Sequence, residues 1–282
     1  MIPRIQGPFG SARWLLVLAA LLAGHADAAT APTASDVAYG SDAAQLLDVY
    51  APDNAQQAPI IVMVHGGAWT TGDKDSRAVI ANKAAHYGAL GYLLVSVDYR
   101  LLPDADPLTQ AQDVARALAY VQQHATAWGG DAKRVVLMGH SAGAHLVSLL
   151  SAAPALATAQ GVQPWLATIS LDSAALDVVA IMEAPHARLY DRAFGDDPAY
   201  WAQVSPQQQL QKAPVPMLLV CSSRRDDSCP EAQQFQARVL ELGGRADLLS
   251  EDLSHRQINL TLCEDSAYTD SVDTFLRSLG LP

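Results

Sequence analysis

One serine stands between two glycines in the stretch "MGHSAGAHL", which covers residues 138–146. Gly139 and Gly143 each lie two positions from Ser141, in the pattern G-x-S-x-G. The run before the motif, "RVVLM", is apolar and rich in β-branched residues, and the run after it has helical spacing. Together these features predict a sharp strand-to-helix turn that presents the Ser141 hydroxyl as a nucleophile.

A serine hydroxyl is a weak nucleophile at neutral pH and needs a base to accept its proton. Among the eight histidines, we predict His255 as this base, because it follows the last predicted strand in a short loop before the final helix. His145 lies one turn after Ser141, where helix geometry directs its ring along the helix rather than over the hydroxyl.

The base in turn needs a carboxylate that orients its ring and stabilises the imidazolium. The segment "VCSSRRDDSCPEAQQF" leaves a predicted strand and supplies two neighbouring acids, Asp226 and Asp227. Of the two, we prefer Asp226 as the orienting acid, since it stands four residues before Pro230, where the next helix is predicted to begin. The predicted order along the chain is therefore Ser, Asp, His.

The segment "HGGAW", residues 65–69, follows another predicted strand. Its two glycines let the backbone approach a ligand closely, so the N–H groups of Gly67 and Ala68 are predicted to stabilise a developing oxyanion. The N–H of Ala142, at the start of the helix after the nucleophile, is predicted to join them. Trp69 is predicted to wall the substrate pocket.

Apolar runs alternate with helical patterns from about residue 45 onwards, which predicts a mostly parallel central sheet with helices on both faces. The predicted strands are 46–50, 59–66, 91–100, 134–140, 165–171, 216–222 and 246–251. Residues 172–212 break this alternation and are predicted to form a short, cap-like insertion over one end of the sheet. The reactive segments follow strands, so they are expected to meet at the carboxyl edge of the sheet.

The bulk composition suits one sizeable folded domain of 29–282, because half of the 282 residues are hydrophobic and only 17% are charged. The formal net charge is −11 and no basic run occurs, which argues against a nucleic-acid partner. No metal-ligand motif such as H-E-x-x-H appears either, so neither a metal nor another cofactor is expected.

The first residues have the order of a secretory signal peptide: Arg4 and Arg13, the apolar run "WLLVLAALLAG", then "ADA" at 26–28. We therefore expect residues 1–28 to be removed and the mature chain to be secreted or periplasmic. An apolar run of 11 residues is too short to span a bilayer, which takes about 20, so no stable membrane association is expected.

Export brings the cysteines into an oxidising compartment. Cys229 and Cys263 each follow a candidate catalytic residue by a few positions, so a bridge between them is expected to tie two neighbouring loops. Cys221 ends an apolar strand and is expected to be a buried thiol.

Several segments together resemble the α/β-hydrolase fold: "VHGGAWTTGDK", "DYRLLP", "QDVARALAYV", "VVLMGHSAGAHL" and the loops of Asp226 and His255. Within that fold the chain is similar to carboxylesterases and lipases with an HGG-type oxyanion loop, near the kynurenine-formamidase-like and feruloyl-esterase-like esterases. The resemblance covers about residues 40–280 and implies the same triad and oxyanion donors. Ala68 and Trp69 depart from the HGGG of the hormone-sensitive-lipase group, a change that keeps the backbone donors but alters the pocket.

The function expected from these residues is a serine carboxylesterase that forms an acyl-enzyme on Ser141. Its partner would be a small-molecule ester of a short-chain or aromatic acid, and the sequence indicates no oligomeric state. An arylformamidase-type amide hydrolase is an alternative, because the same residues cleave activated amides. A binding protein that has lost catalysis on the same fold is another alternative, although no triad member is missing.

Overall fold

The computed structural model describes Met1, Pro3 and residues 31–282. Apart from Met1 and Pro3, the predicted signal peptide of residues 1–28 lies outside the described residues. Within the described residues, none of the helices combines the length and the apolar character needed to cross a membrane.

One sheet runs through the described part of the chain, and the neighbours in it follow the order β1-β2-β4-β3-β5-β6-β7-β8. Its strands are β1 (Ala34–Ala38), β2 (Leu46–Tyr50), β3 (Ala58–Val64), β4 (Leu93–Val97), β5 (Gly130–His140), β6 (Ala167–Leu171), β7 (Met217–Ser222) and β8 (Ala246–Glu251). The pairs β1–β2 and β2–β4 are antiparallel. The remaining pairs are parallel. The predicted mostly parallel sheet is thereby confirmed.

Helices cover both faces of this sheet, as the continuous apolar strands require. The helices are α1 (Arg77–Ala89), α2 (Pro107–His124), α3 (Ala142–Ala152), α4 (Pro154–Thr158), α5 (Val178–Glu183), α6 (Arg188–Phe194), α7 (Pro198–Val204), α8 (Pro206–Gln209), α9 (Ser228–Glu241), α10 (His255–Leu260) and α11 (Ala267–Ser278). All residues of β3 and of α3 are buried. The helix that follows Ser141 therefore lies inside the core rather than on its surface.

Two hydrophobic clusters mark the two faces of the sheet. One contains Leu118 of α2 and Leu146 of α3. The other contains Ile80 of α1 and Phe275 of α11. The two clusters hold alternate residues of the central strands, because successive side chains of a strand point to opposite faces.

The predicted insertion, residues 172–212, contains the four short helices α5 to α8. Its α7 packs on α2, and its α8 packs on α3. Buried apolar side chains, among them Phe194 and Val204, join it to the core cluster of α2 and α3. The insertion is thus packed into the domain and covers the helix that follows Ser141.

The disulfide joins Cys221 to Cys229, so the predicted bridge between Cys229 and Cys263 is wrong. The loop after β7 turns back on itself, which brings the Cα atoms of Cys221 and Cys229 to 5.1 Å from each other. Cys263 is unpaired and packs on the cluster of α1 and α11, away from the cluster that holds the bridged pair.

Replacing both bridged cysteines, as Cys221→Ser with Cys229→Ser, is expected to lower the free energy of unfolding by about 2–3 kcal/mol. The reason is that a cross-link over a loop of this length lowers the conformational entropy of the unfolded chain, which raises its free energy by about that amount. Urea unfolding with and without dithiothreitol measures the change, and the reductant should shift the wild type but not the double variant. Cys263→Ala is the matched control and should keep the response to reductant. A bridge to Cys263 in non-reduced peptide maps would contradict the pairing.

Candidate active site

The predicted nucleophile lies on the turn between β5 and α3. Ser141 has φ 56° and ψ −117°, a backbone conformation that a residue with a side chain holds only when its surroundings enforce it. A Cβ on Gly139 would lie 2.4 Å from the carbonyl oxygen of Gly143, and one on Gly143 would lie 2.3 Å from that of Val64. Glycine is therefore needed at both positions, as the G-x-S-x-G motif predicts.

Backbone hydrogen bonds hold this turn against the neighbouring strand. The N–H of Ser141 donates to the carbonyl oxygen of Leu171 at 3.1 Å, at the end of β6. The carbonyl oxygen of Ser141 accepts from the N–H of Ala174 at 3.2 Å and from that of His145 at 3.0 Å. The hydroxyl is thus placed by backbone contacts relative to the residues that follow β6.

His255 is the first residue of α10, and its ring reaches the nucleophile. Its Nε2 lies 2.8 Å from Oγ of Ser141, within reach of the hydroxyl proton. A capping box between Ser254 and Gln257 fixes the start of the helix. His140 donates from its Nε2 to the carbonyl oxygen of His255 at 2.9 Å. The backbone of the base is therefore anchored from both sides.

The carboxylate beside His255 belongs to Asp172 and not to the predicted Asp226. Oδ2 of Asp172 lies 2.5 Å from Nδ1 of His255, and the Asp172 side chain is fully buried. Asp226 is exposed on the loop after β7. The prediction is corrected for a geometric reason: the Asp172 side chain turns inward and meets the ring of His255, whereas the Asp226 side chain is exposed to solvent.

The loop after β7 supplies hydrogen-bond donors to Asp172 instead of the acid itself. The N–H of Ser222 donates to Oδ1 at 2.9 Å, and the Ser228 hydroxyl donates to the same oxygen. Nη1 of Arg225 donates to Oδ2 at 3.1 Å, while its Nη2 donates to Asp227 at 3.1 Å. Both carboxylate oxygens are therefore occupied.

These contacts decide the charge of Asp172. Burial by itself would raise the pKa of Asp172, but the hydrogen bonds from His255 and Ser228 and the charge of Arg225 outweigh burial. The pKa of this carboxyl group is held well below its usual range. Asp172 is therefore ionised at neutral pH, the state in which a carboxylate orients an imidazole and stabilises its protonated form.

The loop after β3 approaches the nucleophile closely. A Cβ on Gly66 would lie 2.8 Å from Cβ of Ser141. The N–H groups of Gly67 and Ala68 donate no hydrogen bond to any described residue. Ala142 is the first residue of α3, so its N–H has no acceptor within the helix. The three predicted oxyanion donors thus leave their N–H groups free to bind a ligand oxygen.

A cavity of about 1000 Å³ opens over Ser141 and His255. Trp69, predicted to wall it, is instead fully buried in the core, so that prediction is corrected. The indole lies against His145 of α3 and Phe194 of α6, where burial removes its large apolar surface from water. Leu189 and Tyr190 of α6 contribute apolar side chains to the lining of the cavity, together with Val79 of α1.

Three residues of the site were not predicted from the sequence: Asp172, Arg225 and Tyr190. Asp172 carries a usable signal, since it directly follows the apolar run "WLATISL" at a strand end. Arg225 stands beside the two acids of its loop, which the sequence presents as a solvated charge cluster. Tyr190 belongs to the insertion, whose irregular sequence has no period from which the direction of a side chain could be inferred.

Comparison with known proteins gives a family match and several relatives. A model of the family described as BD-FAE matches residues 47–238. LipM of Mycobacterium tuberculosis, a carboxylic ester hydrolase by name, is 37% identical over 123 residues, which make up 42% of this chain and 28% of LipM. The esterase LipQ of the same organism is 28% identical over 226 residues, or 74% of this chain and 53% of LipQ. The chain thus spans between about a quarter and about half of these relatives.

Solved structures confirm the predicted α/β-hydrolase fold. The apo form of Thermogutta terrifontis esterase 2 matches with a TM-score of 0.74 and 22% identity, over 90% of this chain and 97% of that one. A truncated carbohydrate esterase from gut microbiota matches with a TM-score of 0.73 and 17% identity, over 90% and 98% of the two chains.

Two buried histidines beside the nucleophile predict a pH-dependent stability. Burial lowers the pKa of His140 to about 3 and that of His145 to about 4. The pKa of a histidine in an unfolded chain is about 6.5. Between this pH and about 4 the unfolded chain therefore binds more protons than the folded protein, and the free energy of unfolding falls as the pH falls. Each histidine is expected to cost about 2 kcal/mol of unfolding free energy between about pH 7 and 5.

Urea unfolding at these two pH values measures the loss. The His145→Gln variant removes one titrating group, so it should lose about 2 kcal/mol less than the wild type over the same interval. Equal losses in the variant and the wild type would contradict a neutral, buried His145.

Proposed function

The chain belongs to the BD-FAE family, and from this premise we propose that it is a serine carboxylesterase acting on esters of short-chain or aromatic acids. One observation carries the proposal: the ring of His255 lies 2.8 Å from the Ser141 hydroxyl and 2.5 Å from the buried Asp172 carboxylate. The names of LipM and LipQ, a carboxylic ester hydrolase and an esterase, support the same reaction class.

In the first half of the reaction, Oγ of Ser141 attacks the ester carbonyl carbon while Nε2 of His255 accepts the hydroxyl proton. The Asp172 carboxylate stabilises the resulting imidazolium through Nδ1. As the tetrahedral intermediate collapses, the bond to the alcohol oxygen breaks and His255 gives its proton to that oxygen. The alcohol leaves, and the acyl group remains on Ser141 as an ester.

In the second half, a water molecule takes the place of the alcohol. His255 accepts a proton from this water, and the oxygen attacks the carbonyl carbon of the acyl-enzyme. Collapse of the second tetrahedral intermediate breaks the bond to Oγ, which recovers its proton from His255. The products are the free carboxylic acid and the original enzyme.

Both intermediates carry a negative oxygen, which the N–H groups of Gly67, Ala68 and Ala142 would bind. Fixed donors of this kind stabilise the transition state more than the ester itself, because the charge develops only as the bond forms. The close approach of Gly66 to Ser141 supports this assignment, since it holds the loop against the reacting centre.

The cavity has room for an aromatic as well as a short-chain acyl group. Its volume of about 1000 Å³ is at the upper end for small-molecule sites, and Leu189, Tyr190 and Val79 contribute apolar side chains to its lining. Among the structural neighbours, one is a carbohydrate esterase and another contains bound butyrate.

Ser141→Ala is expected to reduce the hydrolysis of p-nitrophenyl acetate and of a feruloyl ester on the order of 10⁵-fold or more, because the covalent nucleophile is lost. Initial rates at saturating substrate measure the effect, and a circular dichroism spectrum checks the fold. Ser76→Ala is the matched control: Ser76 lines the same cavity, and its variant should keep near-normal rates. Wild-type turnover of N-formylkynurenine but of neither ester would favour the amide hydrolase instead.

Asp172→Asn is expected to lower kcat by about 10⁴-fold, because an amide cannot stabilise the imidazolium and favours the wrong tautomer of the base. Asp226→Asn, the change of an exposed acid on the loop after β7, should stay within about threefold of the wild type. Steady-state kinetics of both variants, with unfolding midpoints to check folding, decide between the two acids. A larger loss of kcat in Asp226→Asn would show that Asp226, as predicted from the sequence, is the acid that orients His255.

A further inference from the structure

The loop proposed to bind the oxyanion has an unfavourable backbone. Gly67, Ala68 and Trp69 follow one another with φ values of 125°, 50° and 59°. Two of these residues carry side chains, and such residues occupy the left-handed region only when contacts elsewhere compensate. The N–H groups proposed to bind the substrate lie inside this run, so whatever holds the run also holds the donors.

Thr70 and Thr71 hold the carbonyl oxygen of Gly67 within the loop, and Trp69 is the residue of this run that ties it to the core. Its side chain is fully buried, and its ring meets the ring of Phe194 edge-on at 4.9 Å between centroids. Its backbone carbonyl oxygen accepts from Nε2 of Gln110 and from the N–H of Leu102, each at 2.9 Å. Its Nε1 donates to Nδ1 of His145 at 3.1 Å.

His145 has the hydrogen-bonding capacity that this contact requires. It is fully buried on α3, one turn after Ser141, and its Nε2 donates to the carbonyl oxygen of Val204 at 2.7 Å. The proton on Nε2 leaves Nδ1 as an acceptor for the indole N–H. Burial lowers the pKa of His145 to about 4, so the ring stays neutral and keeps this acceptor at neutral pH.

We propose that His145 is a positioning residue for the oxyanion loop: by accepting the N–H of Trp69, it fixes the backbone N–H groups of Gly67 and Ala68 relative to Ser141. The proposal rests on the proposed esterase function. One neutral ring thereby connects the nucleophile helix, the oxyanion loop and, through Val204, the insertion. A histidine that only filled the core would affect stability but would have no specific effect on the transition state.

Three substitutions separate a role of His145 in positioning the loop from a role in filling the core. Trp69→Phe keeps an aromatic ring and deletes the N–H donor. His145→Leu deletes both the acceptor and the donor, whereas His145→Gln can supply an amide oxygen to Trp69 and an amide N–H to Val204. Trp165→Phe is the matched control, because Trp165 is also buried in the same cluster and donates from Nε1 to Thr168 at 2.9 Å, away from the cavity.

The measurements are kcat and KM for p-nitrophenyl acetate, the inhibition constant of an aryl trifluoromethyl ketone, and the unfolding midpoint. The ketone forms a tetrahedral adduct with the serine and so reports binding of the oxyanion. Trp69→Phe and His145→Leu are expected to lower kcat roughly 10- to 100-fold and to raise the inhibition constant of the ketone by a similar factor, with little change in KM. His145→Gln should recover most of the loss, and Trp165→Phe should keep normal kcat even where its midpoint falls.

Normal kcat and ketone affinity in Trp69→Phe would overturn the proposal, whatever the change in stability. If His145→Leu fails to fold, the comparison of Trp69→Phe with Trp165→Phe decides, since each deletes one buried indole N–H. Equal losses of kcat in those two variants would also overturn it, because they would trace the effect to general loosening of the core. A wild-type protein that cleaves no ester would refute the proposed function, and this proposal with it.

Discussion

A buried carboxylate must be surrounded by donors, and Asp172 imposes this requirement on one edge of the sheet. Removing a charge from water is costly unless it is paired and hydrogen-bonded. Donors from two loops meet the requirement: Ser222, Arg225, Ser228 and His255. Most of these lie between residues 222 and 228, in the segment that the Cys221–Cys229 bridge closes. The loop after β7 is therefore shaped by the acid that it surrounds, and the base is oriented by the same charge.

The position of Ser141 depends on a second constraint, the close approach of backbone to backbone. Gly139, Gly143 and Gly66 each leave no room for a Cβ, so β5, α3 and the loop after β3 pack at contact distance around Ser141. This packing enforces the positive φ of Ser141, and α3 is buried along its whole length to support it. The glycines of the site thus serve tight packing of the backbone rather than flexibility.

Much of this arrangement could be predicted from the sequence, because the signals are local. Apolar runs predict the parallel strands, the G-x-S-x-G spacing places Ser141 on a turn, and His255 follows the last strand. The choice between the two acids could not be made in the same way, since Asp172 and Asp226 both follow buried strands. Only the folded structure shows that the Asp172 side chain turns inward to His255 while that of Asp226 is exposed. The disulfide depends on how the loop after β7 turns back, and the exposed edge strand β1 has no apolar run to reveal it.

The strand order also explains how the residues of the site are distributed over the sheet. Neighbouring strands β5, β6, β7 and β8 are followed in turn by the proposed nucleophile, the buried acid, the donors to that acid, and the proposed base. Their positions are set by parallel pairing, which tolerates little change without disturbing the core. Apolar side chains that line the cavity come from the helices around this edge, Leu189 and Tyr190 from α6 and Val79 from α1. Substitutions on the exposed side of the insertion can therefore reshape the cavity while the reacting groups keep their geometry.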